Sequence, residues 1–267
     1  MGKTDNITRT TRRELDTDVA RIGAVAGLTL LADTVGTWGL SAVGGGGLRP
    51  LALVVVLATI TVGTRARWGL ALGLSVSGFF FGGWPSTVAT VFAAFGAATL
   101  CGRLWTGQQD RARWLQWLRQ YVTVAVLTTL ILTAAFASLL DLFGISAFSI
   151  VVAQSLGGNL VLSLLGTPVA WLLTGVGAER GWAVRGEGLS PKGTVLTSGV
   201  LLVWVGGGSL GSFLYQAANT ISAAEFGRRL GATAERIVVL GGTQGRYAVF
   251  ALSVLAVLAL VGVFWND

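Results

Sequence analysis

Four polar side chains that lie within long apolar stretches have the residue types that bind solutes inside a membrane. They are Asp33, Asp141, Gln154 and Asn159. An aspartate at the centre of a membrane helix costs about 2.5–3.5 kcal/mol, so it is expected to face the protein interior, a partner or water. Asp33 has that position, because it lies near the midpoint of the stretch 22–43. We therefore predict that these four side chains form a substrate-binding site.

The same four residues also have a structural interpretation. Asp33 can pack as a protonated or hydrogen-bonded side chain, and Asp141, near the end of its stretch, can reach water. Gln154 and Asn159 flank a pair of glycines, where an unwound helix would expose amide side chains and free carbonyls at one depth, as in interrupted transporter helices. Without a ligand, the two amides would simply hydrogen-bond neighbouring helices. The sequence leaves both interpretations open.

Several kinds of chemistry are excluded by composition. The chain has no histidine and one cysteine, Cys101, so it cannot form a Ser-His or Cys-His pair, a histidine metal site or a disulfide. Residues 207–211 spell the G-x-S-x-G of a nucleophile elbow, but that motif needs a strand-to-helix turn and a histidine base. We predict that the protein is not an enzyme and has no bound cofactor or metal.

The composition is that of an integral membrane protein. Of 267 residues, 53% are hydrophobic and 12% are charged, and the mean hydropathy is +0.72. A soluble domain has about 25% charged residues. The net charge of +7 comes from basic residues between apolar stretches, where they orient a membrane protein rather than bind nucleic acid.

Eight apolar stretches predict membrane-spanning helices, each needing about 20 residues to cross about 30 Å of hydrocarbon. They are residues 22–43, 48–64, 68–83, 85–104, 121–144, 146–176, 193–218 and 247–265. The fold class is therefore an all-α polytopic bundle with about eight spans, and with six as the lower bound. Two of the stretches, 48–64 and 68–83, are short and form a tight hairpin. The 31-residue stretch has to tilt, protrude, or break at its glycine pair or at Pro168.

The predicted domain organisation is a basic tail, 1–21, followed by one transmembrane domain, 22–267. Within it, residues 22–176 form a six-helix core, and residues 193–265 hold two further segments joined by an amphipathic loop. The glycines at 206–208 leave open whether 193–218 crosses fully. Placing the tail in the cytoplasm puts 14 Lys and Arg inside and 5 outside, which predicts a multi-pass cell-membrane protein with a cytoplasmic N-terminus.

Aromatic residues precede the fifth apolar stretch with helical spacing. Trp114, Trp117, Leu118 and Tyr121 fall at positions i, i+3, i+4 and i+7. This stripe predicts a separate helix that lies on the inner leaflet, either as an anchor or as a docking surface for a cytoplasmic partner.

Small residues at four-residue spacing predict close helix packing, because they let two backbones approach in a membrane. The residues concerned are Ala20, Gly23, Ala24 and Gly27 at the start of the first span, and Gly207 and Gly211 in the seventh.

Residues 19–176 resemble the substrate-binding S components of energy-coupling factor vitamin transporters. The resemblance rests on six predicted spans, on the start Ala20-x-x-x-Ala24, on the glycines of the short hairpin and on the sixth stretch. The glycines and the sixth-stretch residues are Gly63, Gly69, Gly73, Gly157, Gly158 and Asn159. The resemblance implies an outward-facing pocket and a first-helix surface that docks a coupling subunit driven by cytoplasmic ATPases. The two C-terminal segments depart from the six-helix pattern.

The predicted function is binding or translocation of a small solute by one component of a transport system. The alternative is a non-catalytic membrane subunit, sensor or scaffold, in which the polar residues only cross-link helices. Expected partners are the lipid bilayer, a small-molecule substrate and a membrane or cytoplasmic subunit, but no nucleic acid. A solute binder should have a polar cavity, whereas a scaffold should have its polar side chains mutually satisfied.

Overall fold

A computed structural model of the chain describes residues 17–36, 50–81, 83–107, 114–179, 188–220 and 232–266. The basic tail to residue 16 lies outside these ranges. The helices are α1 (Thr17–Gly36), α2 (Leu51–Val62), α3 (Ala66–Phe81), α4 (Trp84–Leu104), α5 (Trp114–Leu142), α6 (Phe148–Leu165), α7 (Thr167–Glu179), α8 (Pro191–Thr220) and α9 (Ala232–Asn266).

The predicted fold class is confirmed. The described residues contain helices and no strand, and seven segments are long and apolar enough to cross a membrane. One of the seven, Leu51–Phe80, contains both α2 and α3. Many large apolar side chains are exposed on the outer helix faces, where they contact the lipid bilayer. The chain is thus a multi-pass helical membrane protein.

The predicted hairpin between the second and third stretches is present. A 3-10 turn at Gly63–Arg65 separates α2 from α3, and Gly63 has φ +77°, in the left-handed region that favours glycine. The contacts with α4 show that the chain reverses there. Thr59 and Thr64 lie beside Gly102, near the end of α4, whereas the end of α3 packs against the first turn of α4. With only 12 residues, α2 covers about 18 Å, so it begins inside the bundle.

The first helix packs on α3 through glycines of α3. A Cβ atom on Gly69 would lie 2.7 Å from Val25 Cβ, and one on Gly73 would lie 2.9 Å from Thr29 Cβ. The absence of a side chain at these glycines therefore allows the β-branched residues of α1 to approach the α3 backbone. An ion pair between Asp18 and Arg65 joins the N-terminal end of α1 to the 3-10 turn before α3.

The predicted packing role of the small residues of α1 is not what the structure shows. Ala20, Gly23, Ala24 and Gly27 are exposed, and a Cβ atom on either glycine would meet nothing within 4 Å. These residues occupy the face of α1 that points away from α3. The physical reason is the rotation of α1, which directs Val25 and Thr29 toward the glycines of the neighbour.

The sixth apolar stretch breaks at its proline and not at its glycine pair. Helix α6 runs unbroken through Gly157 and Gly158, and it ends at Leu165, directly before the turn residue Gly166. Pro168 cannot donate a backbone hydrogen bond and clashes with the preceding turn, whereas glycine costs only about 1 kcal/mol in a helix. The chain continues as the shorter helix α7.

The last two helices form an antiparallel pair that packs on α5 and α6. Helix α8 is continuous through the glycines at 206–208. Gly207 and Gly211, which we predicted to pack helices together, lie against α9, where Cβ atoms on them would be 3.0 Å from Leu252 and 3.3 Å from Val249. Part of the predicted amphipathic loop is helical, because α9 begins at Ala232; residues 221–231 lie outside the described ranges.

The prediction that the aromatic stripe before the fifth stretch forms a separate surface helix is wrong. Residues from Trp114 onward are the first turns of α5 itself. Trp117 and Tyr121 are buried, and the Trp117 ring stacks on Tyr121 and meets Trp171 of α7 edge-on, with ring centroids 5.4 and 4.8 Å away. Two of the four stripe residues, Trp117 and Tyr121, therefore pack against protein, whereas Trp114 is exposed.

Candidate functional site

A cavity of about 220 Å³ lies between α2, α4, α5 and α6, in the half of the bundle that contains the α5–α6 connection. One water needs about 10–15 Å³ on this measure, so the space is large enough for a small ligand. Its polar lining residues are Thr90, Thr133, Ser146, Gln154, Ser155 and Asn159. Its apolar lining residues are Leu51, Ala93, Leu132, Phe136, Leu140 and Val151.

Helical spacing explains how these side chains converge. On α6, Ser155 and Asn159 are four residues apart and therefore lie on one face, with Val151 a further turn away. On α5, Thr133, Phe136 and Leu140 are separated by three and four residues and likewise share a face. The cavity lies where these two faces meet.

Two buried polar atoms in the cavity wall have no hydrogen-bond partner. Asn159 is 6% exposed and Thr133 is 2% exposed, and neither Asn159 Oδ1 nor Thr133 Oγ1 is bonded to another protein atom. Leaving such a group unsatisfied costs about 1–3 kcal/mol. Buried polar atoms of proteins are nearly always bonded to protein or to water, so these two atoms are available to a bound molecule.

Two other hydroxyl groups can accept hydrogen bonds. Thr90 Oγ1 donates to the carbonyl of Ser86 at 2.7 Å, and Ser155 Oγ donates to the carbonyl of Val151 at 2.6 Å. A hydroxyl has one proton and two lone pairs, so each retains acceptor capacity after donating to its own helix. Together with Asn159 Oδ1, they make the wall rich in acceptors.

The first turn of α2 reaches the cavity. Leu51, the first residue of α2, lines the cavity, and the preceding Pro50 provides no side-chain cap. The first N–H groups of a helix have no partner within the helix, and they carry a partial positive charge. Among the residues that the structure describes, no side chain that lines the cavity is charged.

The predicted site residue Asp33 lies elsewhere. It accepts a hydrogen bond from Ser77 Oγ of α3 at 2.5 Å, which places it in the contact between α1 and α3. It is not among the residues that line the cavity. The structure therefore joins Asp33 to α3 and does not bring it to Asn159 or Gln154.

The predicted site residue Asp141 is buried on a different side of α5. Its Oδ1 accepts a hydrogen bond from the hydroxyl of Tyr215 at 2.6 Å, and Nε of Arg246 lies 3.8 Å from the same oxygen. These partners belong to α8 and α9. Only the neighbouring Leu140 faces the cavity, because adjacent helical residues point about 100° apart.

Of the four predicted binding residues, the structure brings Gln154 and Asn159 together and places Gln154 at the exposed edge of the cavity. Sequence reasoning missed the hydroxyl groups of Thr90, Thr133 and Ser146. Threonine is common throughout these helices, and its hydroxyl usually bonds the backbone of its own helix, so no signal distinguished these positions. Within the described ranges, no group of three or more Cys, Asp or Glu side chains could hold a metal ion.

No family model matches this chain, and comparison with curated proteins and with solved structures finds no match either.

Proposed function

We propose that this protein binds a small, uncharged polar solute in the cavity between α2, α4, α5 and α6, and that it serves in transport of that solute. The observation that carries the proposal is the pair of unpartnered polar atoms, Asn159 Oδ1 and Thr133 Oγ1, in the cavity wall. Neither atom bonds to a neighbouring helix, as a group that served only to cross-link helices would. A ligand that completes their hydrogen bonds explains why they remain unpaired.

The wall chemistry supports a particular class of solute. None of the described side chains that line the cavity is charged, so they offer no counter-ion to an ionic solute that loses its hydration. Acceptors on Thr90, Ser155 and Asn159 favour a molecule with N–H or O–H donors. The apolar lining residues favour a flat or hydrocarbon face on the same molecule.

The two intramembrane aspartates, half-buried Asp33 and buried Asp141, support a structural role beside the binding role. Asp33 is bonded to Ser77 of α3, and Asp141 is bonded to Tyr215 of α8. Each bond joins two helices, as expected of a scaffold. This observation favours the scaffold function for those two residues, whereas the cavity favours solute binding.

We expect the native solute to leave with the protein during purification. Small molecules released by denaturing the purified full chain are identified by mass spectrometry, and Asn159→Leu should reduce the bound species at least about tenfold, which corresponds to losing one good hydrogen bond with an unpaired partner. Thr99→Val is the control, because Thr99 is on α4 and bonds Phe95 of its own helix. An unchanged set of molecules in Asn159→Leu would contradict the proposal.

We infer that the start of α1 faces the cytoplasm and that the cavity half faces outward. The α2–α3 turn and the end of α4 are at the same end of the bundle as the start of α1, and they include Arg65, Arg67 and Arg103. An outward cavity and the exposed small residues of α1 are also what the resemblance to S components implies, so we extend the proposal to a partner subunit that contacts this face of α1.

Cysteine labelling tests the orientation. In a Cys101→Ala background, a single cysteine replaces Thr64 in the α2–α3 turn or Ile145 in the α5–α6 connection; both native residues are exposed. An impermeant maleimide added to intact cells should label Ile145→Cys, while Thr64→Cys should react only after the cells are opened. The reverse pattern would overturn the orientation.

A further inference from the structure

Asp141 is a buried carboxyl group whose two oxygens differ. It is 2% exposed, and its Oδ1 receives the Tyr215 hydroxyl. Its Oδ2 is buried and has no hydrogen-bond partner. Nε of Arg246, at 3.8 Å from Oδ1, is beyond hydrogen-bond distance. The carboxyl group therefore has one oxygen free to accept a proton.

The arginine beside this carboxyl group also touches the connection between α5 and α6. Gly144, in that connection, has φ +73°, and a Cβ atom there would lie 2.9 Å from an Nη atom of Arg246. The same connection supplies Ser146 to the cavity lining, and α5 supplies Leu140 just before Asp141. Arg246 thus lies beside both Asp141 and the α5–α6 connection, which borders the cavity at Ser146.

Two titratable or charged groups face Asp141 among the side chains that the structure describes. They are Tyr215 of α8 and Arg246 of α9. The sequences of α2 and α6 contain no charged residue, and the single charge of α4, Arg103, is at the opposite end of that helix. A change in the charge of Asp141 would therefore act mainly on Arg246, whose side chain is half-exposed and can turn to water.

We propose that Asp141 is a proton-binding site that controls access to the cavity. When the carboxylate is ionised, its attraction holds Arg246 against Gly144 and keeps the α5–α6 connection closed over the cavity edge. A proton from water adds to Oδ2 to form a neutral carboxylic acid; no other bond breaks. The neutral acid no longer attracts Arg246, so the guanidinium moves into water and the connection loosens. The cavity as a binding site rests on the proposed function, whereas the proton site does not.

Infrared titration of the purified full chain in phospholipid vesicles tests the proton site without any solute. A protonated carboxyl C=O band should appear as the pH falls from about 8 to about 5. The band should be absent in Asp141→Asn. It should persist in Asp33→Asn, the matched control that alters the half-buried aspartate of α1. Absence of an Asp141-dependent band over this range would overturn the proposal.

Labelling of a cysteine at position 146 tests the control of access. In the Cys101→Ala background, we compare how fast Ser146→Cys reacts with an impermeant maleimide when residue 141 is Asp or Asn. At about pH 8 the reaction should be about fivefold or more faster with Asp141→Asn. At about pH 5 the two rates should be equal. Comparing the two proteins at one pH cancels the pH dependence of the thiol. Ser86→Cys, at the same end of the bundle but outside the cavity lining, should show equal rates in both.

Arg246→Gln provides a second variant that keeps Asp141 in place. It should label fast at position 146 at both pH values, because the neutral amide cannot be held by the carboxylate. The proposal that Asp141 controls access would be overturned if labelling at about pH 8 were equally slow in three proteins. These are Arg246→Gln, Asp141→Asn and the protein with both native residues. Loss of solute in Asn159→Leu is a separate measurement, so the two proposals fail independently.

Discussion

Trp204→Ala is expected to lower the free energy of unfolding by about 3–5 kcal/mol, the range for removing a large aromatic side chain from a core. Trp204 is 2% exposed, and its indole lies where α5, α8 and α9 meet. Its Nε1 donates to Ser138 Oγ at 3.2 Å and to Ser253 Oγ at 3.0 Å. The substitution thus removes the volume of the ring. It also removes the N–H group that donates hydrogen bonds to both α5 and α9.

The single thiol of the chain provides the measurement. Cys101 is fully buried, so a thiol-reactive fluorophore reports unfolding when heat exposes it. Trp204→Phe should lose less stability than Trp204→Ala, because it keeps most of the ring. Both serines still bond their own helices in Trp204→Phe. Trp265→Ala is the control, since Trp265 is 87% exposed. Equal unfolding temperatures for Trp204→Ala and Trp265→Ala would show that the three-helix junction contributes little to stability.

Thr133→Val and Thr129→Val, one helical turn apart on α5, are expected to change stability in opposite directions. Thr133 Oγ1 has no partner, so replacing it with a methyl group of similar shape should raise stability by about 1 kcal/mol and remove the solute. Thr129, four residues earlier on α5, donates to the carbonyl of Ala125 at 2.8 Å. Thr129→Val should therefore lower stability by about 1 kcal/mol.

Thiol-dye unfolding in detergent gives the stability change for both variants, and mass spectrometry gives the bound solute. Adding Asn159→Leu to Thr133→Val should leave no solute above background while the folded bundle remains. A Thr133→Val protein that loses stability and retains its solute would mean that the hydroxyl supports the fold, and the cavity would then lose its strongest evidence.

Much of the fold could be predicted from the sequence, because span length and apolar content depend on local composition. The short hairpin and the contact through Gly207 and Gly211 followed from the same reasoning. The rotation of each helix about its axis was not predictable in this way. For α1, apolar residues occur all round the helix, so the sequence does not distinguish the face with Gly23 and Gly27 from the face with Val25.

The site was predictable only where a residue type is rare in its surroundings. Gln154 and Asn159 are conspicuous amides in an apolar stretch, and both line the cavity. Asp33 and Asp141 are equally conspicuous, yet the sequence gives only their depth, and their directions depend on which helices pack beside them. The contribution of Leu51 was not predictable, because it depends on where the α2 backbone begins within the bundle.

The late position of α8 and α9 in the chain has a consequence for biogenesis. Asp141 obtains Tyr215 and Arg246 only from these two helices, and Phe148 packs against Gly208 of α8. A ribosome adding about 5–20 residues per second needs roughly 5–20 s to proceed from Asp141 to Arg246. During that interval the nascent bundle holds an intramembrane carboxyl group without its final partners. The insertion machinery must shield that side of α5, and messenger mutations that slow translation of α8 would prolong this exposure.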